Sequence, residues 1–242
     1  MSHFVTLVLV PGDTEKRNIE PLVDSMLEPF SEHLEVEPYE TDCFCIGLQA
    51  RKEVEAQVNA QYDIESLRKT FHSLSEKEQT DQKWNEMVAP RMKLREQLLA
   101  AHPLKDKPNP NCKSCKGSGI RISRCNPIAT VDWWRVGGRW NGYLFGPEHE
   151  EACRDKEGGF NFGAEHQKLE NNCRRVSEIP IDDPYYVPFA ILTPDGEWRE
   201  KGSMGWWGVI RDEASDAQWH ETVKAVLAKY PEHLAVAVDC HI

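Results

Sequence analysis

A Cys-x-x-Cys motif is the feature of this sequence most suited to metal chemistry. Cys112 and Cys115 are followed by Gly117 and Gly119, which makes a zinc-knuckle-like half-site. The turn between the cysteines lets both sulfurs point at one ion, and the glycines let the chain leave with positive φ. Because a structural zinc site takes four protein ligands, the chain must supply two more. We predict that Cys112 and Cys115 bind Zn²⁺.

Cys43 and Cys45 are the best candidates for the other two ligands, because residues two apart on a strand face the same way. This choice would close a loop of about 70 residues, which removes considerable entropy from the unfolded chain. Cys125 is the nearer competitor. Plain buried thiols, or a redox pair without the usual strand-to-helix context, are the alternatives to a metal site. Later candidate ligands are His149, Cys153 and Cys173.

A second candidate site is the segment from 132 to 142, which is rich in tryptophan, arginine and glycine. Its aromatic rings and guanidinium groups suit stacking on a base and pairing with phosphate. Gly137 and Gly138 would let the backbone approach a ligand, although protein cores and tight turns share this composition. A matching tryptophan pair, Trp206 and Trp207, would extend the aromatic cluster. The candidate ligand-binding residues are Trp133, Trp134, Arg135, Arg139 and Trp140.

Charge is distributed unevenly along the 242 residues. The net charge is −11, yet the stretch from Pro103 to Trp140 holds eight basic and two acidic residues. That stretch therefore carries +6 and the remaining chain −17. Such a basic segment is either an anion-contact site or a solvated loop. The expected partners are nucleic acid, a nucleotide or a host protein, and the acidic remainder could mimic nucleic acid toward a basic host protein.

The chain ends on a possible catalytic triplet, Asp239-Cys240-His241. On a strand, Asp239 and His241 share one face and Cys240 points to the other. Asp239 and His241 could act as acid and base or hold a metal, with help from Asp132 or Asp195. Polar residues at a strand end are common, and no phosphate-binding loop or nucleophile elbow is present. We therefore assign no catalytic residue and expect a binding protein, with a nucleotide-directed hydrolase or transferase as the alternative.

The pattern of elements predicts an α+β fold: a mixed β-sheet with helices on one face, an inserted helical hairpin and a zinc-binding loop. We expect a single domain over 1–242, with the hairpin at 48–102, kinked at Pro90, and the zinc loop at 103–130. No apolar run approaches the roughly 18 to 20 residues of a membrane span. No secretory signal is evident, so we expect a cytoplasmic protein with reduced cysteines.

Four motifs together resemble an uncharacterised family of phage and bacterial proteins over roughly residues 40 to 242. They are the Cys-x-x-Cys-x-Gly half-site, Asp-Trp-Trp running into Gly-Gly-Arg-Trp, the Thr-Pro-Asp-Gly-x-Trp hairpin and the Asp-Cys-His end. The resemblance implies a phage or mobile-element setting, and with it inhibition of a host defence. It transfers no catalytic residue. The half-site is also similar to one repeat of the DnaJ-type zinc-binding region, which implies a metal but not a chaperone.

Overall fold

The computed structural model describes residues 2–75, 77–153, 168–205 and 210–242. The chain forms two compact units. The first comprises Met1–Val36 and Cys125–Ile242, and the second comprises Glu37–Arg124. Helices and a mixed sheet confirm the α+β class.

The strands and helices are labelled in chain order. The strands are β1 His3–Val10, β2 Glu35–Asp42, β3 Ile120–Cys125, β4 Trp133–Val136, β5 Cys173–Arg175, β6 Ala190–Leu192, β7 Trp198–Glu200, β8 Ser203–Met204, β9 Ile210–Arg211 and β10 Leu234–His241. The α-helices are α1 Lys16–Leu27, α2 Leu48–Gln61, α3 Ile64–His72, α4 Asp81–Ala101, α5 Pro147–Cys153 and α6 Asp216–Leu227. None of these described helices combines the length and the apolar character needed to cross a membrane.

The central sheet of the first unit has the order β4-β10-β1-β6-β7, with β5 also paired to β10. Strands β1 and β10, from the two ends of the chain, run antiparallel, while β1 and β6 run parallel. Seven of the eight residues of β1 are buried. A strand buried on both faces needs apolar residues at consecutive positions, which explains the apolar run from Phe4 to Val10.

Helices cover both faces of this sheet rather than the one face expected. Helix α6 packs Trp219 and Val223 against the face that carries Leu7. Helix α1 packs Val23 against the opposite face, beside Val8. Successive side chains of a strand point to opposite faces of the sheet. A strand as apolar as β1 therefore needs a packed element on each face.

The predicted hairpin around Pro194-Asp195-Gly196 connects β6 to β7, which pair antiparallel. Gly196 has φ of 83°, in the left-handed region that glycine adopts without strain. The Thr193 hydroxyl donates to Asp195 at 2.6 Å and the Tyr230 hydroxyl at 3.0 Å. These hydrogen bonds, with the Thr193 contribution largest, lower the pKa of the Asp195 carboxyl.

Among its described residues, the second unit has three helices, α2 to α4, where the sequence indicates a two-helix hairpin. The first expected helix ends before Asp63, because the Asp63 carboxylate accepts from the backbone N–H groups of Glu65 and Ser66 and caps α3 instead. Helix α4 continues through Pro90. Between α2 and α4, the buried Arg91 guanidinium pairs with Glu55 and also donates to Asn59 at 2.7 Å.

Candidate functional site

Four cysteines of the second unit come together in one cluster. The Sγ atoms of Cys43, Cys45, Cys112 and Cys115 all lie within 4.8 Å of one another. The Cys43 and Cys112 sulfurs are 3.7 Å apart, and those of Cys45 and Cys115 are 3.4 Å apart. The structure thus brings together the two sequence-distant pairs, and Cys125 is not a member of the cluster. These four residues, hereafter the cysteine cluster, could hold a metal ion.

Two tight turns aim the cysteine sulfurs inward. The Cys43 N–H donates to the Gly119 carbonyl at 2.7 Å, which ties the two turns together. Gly117 and Gly119 have φ of 87° and 85°, the conformation expected of glycines that follow a zinc-knuckle-like pair. At Gly117 an added Cβ would lie 3.1 Å from the Pro110 carbonyl oxygen, so a larger residue would disturb the turn.

Protons are shared unequally within the cysteine cluster. Burial raises the pKa of the Cys45 thiol, and its sulfur neighbours add to the rise. Burial also acts on Cys115, but hydrogen bonds from the Gly119 backbone and the Cys45 thiol outweigh it and lower the Cys115 pKa. Backbone hydrogen bonds from Cys115 and Ser114 likewise lower the pKa of Cys112. The cluster therefore favours thiolate, the metal-binding form, on the Cys-x-x-Cys side.

An exposed aromatic ring stands between two cysteines of the cluster. Phe44 is 77% exposed, and the Arg121 guanidinium lies 4.1 Å from its ring centroid. Arg51 donates to the Phe44 carbonyl at 3.2 Å, so a second guanidinium holds the backbone of this turn. We call Phe44, Arg51 and Arg121 the Phe44 surface.

Basic side chains surround the turns that form the cysteine cluster. Residues 37–124 contain fifteen basic and thirteen acidic residues, a net charge of +2, whereas the rest of the chain carries −13. Asp42 and Glu40 are the acidic residues nearest in sequence to the cluster. The exposed basic residues of the cysteine turns and the adjoining loop are Lys105, Lys107, Lys113 and Lys116, and Arg124 is exposed on β3.

The structure distributes the Trp–Arg segment over both faces of the first unit's sheet. Trp133 stacks on the His241 ring with centroids 5.0 Å apart, and Arg135 lies opposite Asp239 in the strand register. Trp134 packs into the opposite core, and its Nε1 donates to Asp24 at 2.8 Å. These contacts do not place the predicted ligand-binding residues on one continuous stacking surface.

The remaining residues of that segment are held close to the core. Trp140 packs against the core beneath α6, and the backbone N–H of Arg139 donates to Asp239 at 3.1 Å. Gly138 has φ of 55°, and an added Cβ there would lie 2.3 Å from the Asp239 Cβ. The backbone at Gly137 and Gly138 thus closely approaches other side chains of this protein rather than the ligand that the sequence suggested.

The polar end of β10 forms two histidine–carboxylate pairs. His241 Nδ1 lies 2.6 Å from Asp132 Oδ1, as the sequence had indicated for Asp132. Asp239, which is 1% exposed, pairs instead with His3, whose Nδ1 is 2.9 Å from Asp239 Oδ1. The His3 and His241 rings are in edge contact with centroids 4.7 Å apart. His3, Asp239, His241 and Asp132 lie at one end of the central sheet. We call these two histidine–carboxylate contacts together the sheet-end pair.

Sequence reasoning missed His3 and misplaced Asp195. His3 becomes a partner of Asp239 only because β1 pairs with β10, and no local pattern announces a pairing between the first and last strands. Asp195 is engaged in the hairpin turn rather than beside His241. Cys240 is buried on the opposite face, as expected. The predicted partners Trp206 and Trp207 lie outside the described residues.

Comparisons with known proteins add no relative to this description. No protein-family model matches the chain, and no match was found among curated proteins or solved structures.

Proposed function

We propose that this protein is a zinc-stabilised nucleic-acid-binding protein that contacts single strands through the Phe44 surface. The single observation that carries the proposal is the exposed Phe44 ring beneath the Arg121 guanidinium, within the turn that supplies Cys43 and Cys45. An exposed ring costs solvation free energy, and a ring held beneath a guanidinium, in the turn between two candidate metal ligands, suits a contact role.

Zinc fits the cysteine cluster by distance and by chemistry. A Zn–S bond of about 2.3 Å in a tetrahedron places neighbouring sulfurs about 3.8 Å apart, close to the 3.7 Å between Cys43 and Cys112. Thiolates select soft ions such as Zn²⁺ over Mg²⁺ or Ca²⁺. Four protein ligands leave no open position, so the role of the ion is structural: it fixes the two turns and with them Phe44.

Single-stranded nucleic acid fits the Phe44 surface better than a duplex does. Bases of any sequence can stack on an exposed ring, at about 1–3 kcal/mol per base, and arginine adds cation–π attraction. The lysines around the cysteine turns offer contacts to phosphates, whose counterion release makes binding depend on salt. The +2 charge of residues 37–124 favours such contacts relative to the −13 of the remaining chain.

Fluorescence anisotropy with a labelled oligothymidine tests this proposal. Phe44→Leu keeps the apolar bulk but removes the ring, and we expect it to weaken binding about tenfold or more. Phe145→Leu is the matched control, because Phe145 also lies beneath an arginine, Arg174 at 5.3 Å, but in the first unit. Equal affinity of Phe44→Leu and the parent protein would refute the Phe44 surface as the contact site.

A salt series separates phosphate contacts from stacking. Lys113→Ala is expected to reduce the slope of log K against log salt by about one if Lys113 contacts a phosphate. Arg139→Ala tests the Trp–Arg segment in the same assay. A loss of affinity in Arg139→Ala with none in Phe44→Leu would move the binding site to the first unit.

Inhibition of a host defence is proposed from the resemblance to phage and bacterial proteins. The first unit, with a net charge of −13, supplies the negative field that a basic host protein would recognise. Plaque counts on a defence-proficient bacterial host, with and without expression of this protein, test the proposal. Unchanged plaque counts across several defence systems would contradict it.

A nucleotide-directed hydrolase or transferase is the second candidate function. The observation in its favour is the sheet-end pair, in which two imidazole rings each contact a carboxylate, an arrangement that can hold a histidine as a general base. Asp239→Asn and His241→Gln should abolish any nucleotide turnover that the parent protein shows. Full turnover in both variants would remove these residues from the chemistry.

A further inference from the structure

A cavity in the first unit lies next to the sheet-end pair and is independent of the cysteine cluster. It has a volume of about 650 Å³ and is bordered by the start of β1, the segment 184–189 and the first turn of α6. This volume suits a small organic molecule. Its aromatic walls are Phe4, Trp140, Phe189 and Trp219.

Two histidines line this cavity, and one ring nitrogen of each is engaged elsewhere. His3 Nδ1 faces the Asp239 carboxylate, which only accepts, so Nδ1 carries the proton and Nε2 is the acceptor in the neutral ring. His220 Nε2 lies 2.6 Å from the Ile181 carbonyl, so Nε2 carries its proton and Nδ1 is the acceptor. In these neutral tautomers the remaining ring nitrogen of each histidine is an acceptor, so a ligand that donates hydrogen bonds suits them.

The charged groups of the cavity argue against a phosphate. Lys201 lines it, but its ammonium already contacts Glu213 and Asp216 at 2.7 Å each. Asp216 also lines the cavity, and the first unit carries −13 overall. A phosphate would have to displace these carboxylates from Lys201 against a negative background. A neutral ligand meets no such cost.

We propose that this cavity binds a neutral nucleoside, with the base between the aromatic walls and its donor groups on His3 and His220. A planar heteroaromatic ring matches the aromatic lining, and its amino and ribose hydroxyl groups supply the donors that the two imidazoles require. The site goes beyond the proposed contact with nucleic acid, because it needs neither the Phe44 surface nor zinc. It also needs no turnover at the sheet-end pair.

Isothermal titration calorimetry with adenosine, cytidine, guanosine and uridine tests the proposal. We expect saturable binding of at least one nucleoside and weaker binding of its 5′-monophosphate. Ala217→Trp should weaken nucleoside binding about tenfold or more, because Ala217 lines the cavity yet is exposed, so a larger side chain there fills the cavity without entering the core. Ala217→Ser keeps the residue small and should bind normally.

His3→Gln tests the hydrogen-bonding end of the cavity. We expect nucleoside affinity to fall about fivefold or more, because the substitution moves the acceptor away from the donor group of the ligand. His33→Gln is the control, because His33 is an exposed histidine of the same unit that does not line the cavity. Absence of nucleoside binding, unchanged binding in Ala217→Trp, or a monophosphate that binds more tightly than its nucleoside would each overturn the proposal.

Discussion

Cys45 and Cys115 carry opposite pKa shifts although their sulfurs are 3.4 Å apart. Burial and the sulfur neighbours hold a proton on Cys45, while backbone N–H groups and the Cys45 thiol favour thiolate at Cys115. In such a cluster, part of the sulfur ligand set favours the metal-binding thiolate form before a cation binds. A divalent ion must still displace the protons that remain.

Zinc binding at neutral pH should therefore release protons. We expect at least about one proton per zinc, with Cys45 among the donors, because its raised pKa keeps the thiol protonated at neutral pH. Zinc affinity should fall as the pH falls, since protons compete with the metal for each thiolate. Calorimetry in buffers of different ionisation enthalpy measures the proton number. A heat of binding that is the same in all buffers would contradict this assignment.

Cysteine reactivity should follow burial in the same way. Cys240 is fully buried, and burial raises its pKa to about 12, so at neutral pH it stays a thiol and reacts slowly with alkylating agents. Cys125 is exposed and should react first in the native protein. Mass spectrometry after brief alkylation identifies the modified residues. Early modification of Cys240 would show that the β10 core opens readily.

At the residue scale, sequence alone indicates metal ligands better than contact residues. The spacing of Cys112 and Cys115, and of Cys43 and Cys45, is a local pattern typical of metal-ligand pairs. Phe44 and His3 carry no such pattern. Phe44 becomes notable through its exposure beneath Arg121, and His3 through a strand pairing that joins the two ends of the chain.

The turn after β4 requires glycine at position 138, because Asp239 on β10 leaves no room for a Cβ there. Gly138 has φ of 55°, and a Cβ would overlap Asp239 on β10. Two costs therefore add in Gly138→Ala: strain from positive φ, and displacement of a buried carboxylate that contacts His3.

We expect Gly138→Ala to lower the free energy of unfolding by about 3 kcal/mol or more. Gly196→Ala isolates the backbone cost, because Gly196 also has positive φ but nothing lies within 4 Å of an added Cβ. That control should lose only about 1–2 kcal/mol. Urea unfolding curves compare the two variants. Equal losses of unfolding free energy in the two variants would show that the contact with Asp239 adds nothing to the effect of Gly138→Ala.

At the element scale, strands and turns with strong local signals are predictable. The apolar run of β1 and the Pro-Asp-Gly turn between β6 and β7 appear where the sequence places them. The division of the expected hairpin at Asp63 arises from a single side-chain cap. The placement of α1 and α6 on opposite faces follows from burial of the whole sheet, which no single segment reveals.

The two units of the molecule are stabilised by different means. The first unit has two apolar clusters, one on each face of its sheet. Among the described residues of the second unit, the buried apolar side chains are Ala50, Val54 and Val58 together with three cysteines. A crosslink or a metal would add stability to a core of this size.

Metal removal should therefore affect the second unit selectively. We expect a chelator to speed hydrogen exchange in peptides from residues 37–124, where the cysteine cluster replaces an apolar core. Peptides from β1 and β10 should keep their protection, because their amides lie in the centre of a covered sheet. Mass spectrometry with peptide resolution gives both readings at once. A uniform increase in exchange over the whole chain would contradict this division.

Metal content of the purified protein, measured by elemental mass spectrometry, tests the central claim most directly. We predict about one zinc per chain, with loss of zinc in Cys112→Ser and Cys43→Ser, because each supplies one of four thiolates. Cys125→Ser should retain zinc, since Cys125 is not a member of the cysteine cluster. A metal-free parent protein, or zinc that is lost in Cys125→Ser and kept in Cys43→Ser, would contradict the account.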